Sequence, residues 1–162
     1  MYLDALLVIA VDGVPLDQLV HTAFPNEFPE GLHPTLLDWN PHGNDSSFAW
    51  GRILPKRGAT AIAPLLMCPD DGLGCMDLVA EVIAEAEVIQ WNRLGRDMSA
   101  WKTVEDLGTK VEWLPGIGPY LFRRAEYERC IEVFRREMEA GDPCWGLFLS
   151  PTVYKSRVSF RF

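Results

Sequence analysis

The sequence predicts an α+β fold in which an antiparallel sheet packs against a long C-terminal helix, and three observations carry that expectation. Apolar runs of strand length, bounded by turn residues, occur at Leu3 to Val11 and at Ala61 to Cys68. An apolar stripe at three- and four-residue spacing runs through residues 124–140. The tail from Tyr154 to Phe162 sets Val158, Phe160 and Phe162 in alternation with Arg157, Ser159 and Arg161. That pattern is expected of an edge strand with a basic outer face.

A chain of 162 residues, 48% hydrophobic and 23% charged, has the size and composition of one globular domain spanning residues 1–162. It contains no internal repeat, low-complexity tract or flexible linker. The first strand is followed by Asp12-Gly13, a strong turn signal, and by a short helix over Asp17 to Ala23 with Leu16, Leu19 and Val20 on one side. From Phe24 to Gly58 the chain carries Pro25, Pro29, Pro34, Pro41 and Pro55 among several glycines, which disfavours long regular elements. Phe24, Phe28, Trp39, Phe48 and Trp50 still need packing partners, so the stretch is expected to be an ordered loop region.

The segment from Met76 to Trp91 reads two ways. Leu78, Val79, Val82, Ile83 and Ala86 fit a helical face, whereas Leu78, Ala80, Val82 and Ala84 alternate as in a strand. Val111 to Leu114 is a further short strand. The clearest element is the helix from Arg124 to Ala140, where Tyr127, Cys130, Ile131, Phe134 and Met138 form the apolar stripe. Gly141 and Pro143 stop it.

Three motifs together resemble a family of small, uncharacterised bacterial proteins. They are Val11-Asp12-Gly13-Val14-Pro15-Leu16; Pro64-Leu65-Leu66-Met67-Cys68, a turn with Gly74-Cys75, then strands ending in Val88-Ile89-Gln90-Trp91; and Gly118-Pro119-Tyr120-Leu121-Phe122-Arg123-Arg124-Ala125-Glu126-Tyr127. The resemblance favours two strands joined near Glu85-Ala86-Glu87 over one helix. The chain departs from that pattern at Arg123, where an Asp would suit the helix dipole, and in keeping only Cys68 and Cys75 around the middle turn. In size and acidity it is similar to immunity proteins encoded beside bacterial toxins.

Charge is unevenly distributed. Through Asn92 there are 13 acidic and 3 basic residues; from Arg93 onward there are 10 acidic and 12 basic, for a net charge of −8. An acidic first half steers basic partners and disfavours nucleic acid as a direct ligand, because phosphate needs a basic footprint. Chemistry of the chain's own is weakly signalled. The Gly116-Ile117-Gly118 sequence runs into Pro119, which removes an amide that a phosphate cradle would use. Cys68 stands beside Asp70 and Asp71, whose charge opposes thiolate formation. Cys68 and Cys75 lack the second close pair that a zinc site wants, so no metal and no cofactor is expected.

These readings converge on a binding protein without enzymatic activity. It is expected in the cytoplasm, because the apolar start carries Asp4 and no basic flank of a signal peptide. The role expected from the resemblance is immunity: occlusion of a basic, nuclease-like toxin. Asp38, Asp45, Asp70 and Asp71 would meet its Lys and Arg groups, with Trp39 as an aromatic anchor. The alternatives are a small metal-dependent or hydrolytic enzyme using His33, Asp38 and His42, and an adaptor unrelated to toxins.

Overall fold

The computed structural model describes residues 9–35, 45–68, 77–100, 103–140 and 158–160, with side chains at 9–35, 48–68, 77–100 and 103–136. Both α and β elements are present, and the sheet pairing is mostly antiparallel. The chain opens with β1 (Ile9–Val11) and β2 (Val14–Pro15), antiparallel with Val11 opposite Val14. Asp12 and Gly13 join them at φ 50° and 80°, the left-handed pair that a two-residue hairpin turn demands. Helix α1 (Leu16–Ala23) follows directly and buries Leu16 and Val20. The strand β9 (Val158–Phe160) lies parallel to β1 and completes a three-stranded sheet in the order β2-β1-β9, at whose edge it sits.

The larger sheet has the order β3-β4-β5-β6-β7, built from β3 (His33–Pro34), β4 (Thr60–Met67), β5 (Leu78–Ala84), β6 (Val88–Asp97) and β7 (Val111–Trp113). The ambiguous segment is two strands, turned at Glu85-Ala86-Glu87 and closed by the Glu85 N–H donating to Val88 O at 2.9 Å. Leu78, Ala80, Val82 and Ala84 bury on the inner face with the helices, and Glu81 and Ile83 stand opposite. Alternation therefore overrides the helix propensity of the Ala and Glu residues.

Two bulges adjust the pleat. At Asn92 the register shifts between Glu81 paired with Arg93 and Val82 paired with Trp91, so that Trp91 and Leu94 both enter the core. At Leu65 a second shift follows Pro64, a residue tolerated inside a sheet next to such an irregularity. The buried Thr35 hydroxyl donates to Pro64 O at 2.8 Å there.

One edge of β6 serves two strands. Its C-terminal end pairs with β7 and its N-terminal end with β8 (Tyr120–Arg123), while Leu114 to Pro119 leaves the sheet between them. The Leu114 and Ile117 side chains return to the core. The strand β8 was not expected from the sequence, where its four residues read only as a lead into the helix.

Helix α2 (Asp45–Ile53) corrects the expectation of a stretch without long elements from Phe24 to Gly58. It fits between Pro41 and Pro55, and it drives Ala49 and Ile53 into the core. Phe28 is fully buried, and Phe24, Phe48 and Trp50 pack at the margin of the core, as the aromatic content required; Trp39 lies outside the described residues. The C-terminal helix α3 (Arg124–Ala140) sets Tyr127 against Trp91 and Phe122 and buries Ile131 and Phe134 in the same core. Arg123 stays in β8, exposed and 4.0 Å from Glu126. The first helical N–H, of Arg124, donates to Glu87 O at 2.9 Å, so the β5–β6 turn takes the place of a capping side chain. No helix among the described residues is long and apolar enough to cross a membrane.

Candidate binding corner

The turn after α1 meets the β6–β7 strand pair. The turn is wound by local hydrogen bonds: Phe24 N–H donates to Val20 O at 2.8 Å, and Phe28 N–H donates to Phe24 O at 3.1 Å. The His21 Nδ1 lies 2.7 Å from Phe28 O. A carbonyl only accepts, so Nδ1 carries the proton, and Nε2 faces Glu30 at 3.5 Å. Asp17 accepts from Gly31 N at 3.3 Å, where φ is 83°. These contacts fix Phe24, Glu27 and Phe28 on one wall.

The opposite wall is sheet. Arg96 on β6 stands across from Glu112 on β7, and its guanidinium donates to the Glu112 carboxylate at 2.8 Å. Neighbouring Gly95 faces Trp113, and its lack of a side chain is required: a Cβ would lie 2.5 Å from Val111 Cγ1 and 2.9 Å from the Trp113 ring. Phe24, Glu27 and Phe28 on one side and Arg96, Glu112, Trp113, Leu114 and Pro115 on the other line an open-sided pocket of about 170 Å³. Its lining mixes Phe24, Leu114 and Pro115 with two carboxylates and one guanidinium. No hydroxyl, thiol or imidazole is among these lining residues.

Beside it, the outer face of the sheet carries a polar network. Arg93 donates to both oxygens of Glu81, at 3.1 and 3.0 Å, and Asn92 donates to Glu81 at 2.6 Å. The Arg93 guanidinium also lies 4.0 Å above the Trp113 ring. Partial burial pushes the Glu81 pKa upward, but donation from Arg93 and Asn92 and the Arg93 charge outweigh it, holding the carboxyl below its ordinary value. Near the β1–β2 turn, burial and then the Asp12 charge raise the Tyr120 hydroxyl.

Most of the residues singled out from the sequence lie elsewhere. Asp38, Trp39, His42, Asp70, Asp71 and Cys75 fall outside the described residues. Asp45 is the first residue of α2, with its side chain outside the description. His33 is in β3, paired with Met67 at the sheet edge. No group of three His, Cys, Asp or Glu side chains suited to a metal ion occurs among the described residues. The pocket was missed because its parts, Phe24 to Phe28 and Arg96 with Glu112 to Pro115, are some 70 residues apart and share no motif. Gly95 inside a strand-forming run was the available signal of close backbone approach.

Comparison of the chain with protein-family models, with curated proteins and with solved structures finds no match.

Proposed function

We propose that this protein acts by binding rather than by catalysis, as a cytoplasmic immunity protein whose acidic loops occlude the site of a basic, nuclease-like bacterial toxin. The observation that carries the reading is the charge map: 13 acidic against 3 basic residues through Asn92. Of those three basic groups, Arg52 is turned inward, donating to Ile62 O at 3.1 Å and Leu107 O at 2.8 Å, which leaves Lys56 and Arg57 exposed. Asp12, Glu27, Glu30, Glu85 and Glu87 are all exposed. A nuclease must carry positive charge where it holds phosphate, and such a surface is attracted to this half of the chain.

Asp38, Asp45, Asp70 and Asp71 are the proposed charge contacts, and Trp39 is the proposed anchor. Affinity capture from the native host tests the reading. The expected product is a basic protein whose toxicity is suppressed by this chain. Charge reversal at Asp70 and Asp71 should weaken capture and protection, while reversal at exposed Arg135 and Arg136 should leave both nearly intact. Capture of a partner that is not toxic would instead make the chain an adaptor, and recovery of no basic partner would remove the reading's support.

A further inference from the structure

We draw no further inference here: the strongest candidate, the surface patch across β5, β6 and β8 where Ile83, Gln90 and the 47% exposed Leu121 stand side by side, carries nothing because no feature of the structure shows what covers it.

Discussion

Tyr127 joins three elements through one hydroxyl. It donates to Ile53 O at 2.8 Å, at the end of α2, and accepts from Trp91 Nε1 at 3.2 Å, on β6, while its ring packs in the core from α3. Burial drives its pKa far above the ordinary phenol value, so the hydroxyl stays neutral and donating throughout the accessible pH range. Tyr127→Phe conserves the ring and removes the hydroxyl that Trp91 Nε1 and Ile53 O share, so it should cost about 1–3 kcal/mol in chemical denaturation. A neutral effect would show that water or a shifted neighbour replaces the hydroxyl. Glu81 acts at the same scale but at the surface. Its folded pKa is depressed, so its contribution is complete above the unfolded pKa and is lost as pH falls through the folded value. Glu81→Gln should therefore flatten the stability loss between neutral pH and pH about 3. Identical pH profiles for the two proteins would contradict the Arg93 and Asn92 contacts.

Elements were legible in the sequence where one periodicity stood alone. The stripe of Tyr127, Ile131 and Phe134 marked the buried face of α3, and Asp12-Gly13 marked the first hairpin turn. Phe134 is fully buried, and Arg136 is exposed. Phe134→Ala should destabilise by about 3–5 kcal/mol, and Arg136→Ala by less than about 0.5 kcal/mol. Equal denaturation midpoints for the two variants would mean that α3 turns its other face to the sheet. Legibility failed where tertiary pairing decided the outcome. The β8 strand exists because β6 offers it an unpaired edge beyond β7, and nothing local to Tyr120 to Arg123 announces that edge. Helix α2 is hidden in the sequence by the prolines that flank it, because Pro41 and Pro55 bound a proline-free interval within a stretch whose overall proline density disfavours helix. The pocket escaped notice for a related reason, since its walls, the turn after α1 and the β6–β7 pair, meet only in the folded chain.

At the scale of the whole molecule, the two halves of the chain differ in electrostatic character while sharing one core. The apolar cluster runs from Ile9 of β1 through both sheets to Phe134 of α3, so the described residues of the acidic and basic halves share one core. Among the described residues of the first half, Asp12, Glu27, Glu30, Glu85 and Glu87 are exposed on this core, so their charge is a fixed field rather than a loose tail. Such a field speeds encounter with a basic partner, and salt screens it over about 8 Å at physiological ionic strength. Acidity that served solubility alone would have no such consequence for a specific partner's kinetics. The most direct test is the association rate of the captured partner, measured across salt concentrations for the wild-type chain and for the charge reversals at Asp70 with Asp71 and at Arg135 with Arg136. The account predicts an association rate that falls clearly with salt while dissociation changes less, and that falls again on reversal of Asp70 and Asp71 but not of Arg135 and Arg136. An association rate indifferent to salt and to both reversals would contradict it.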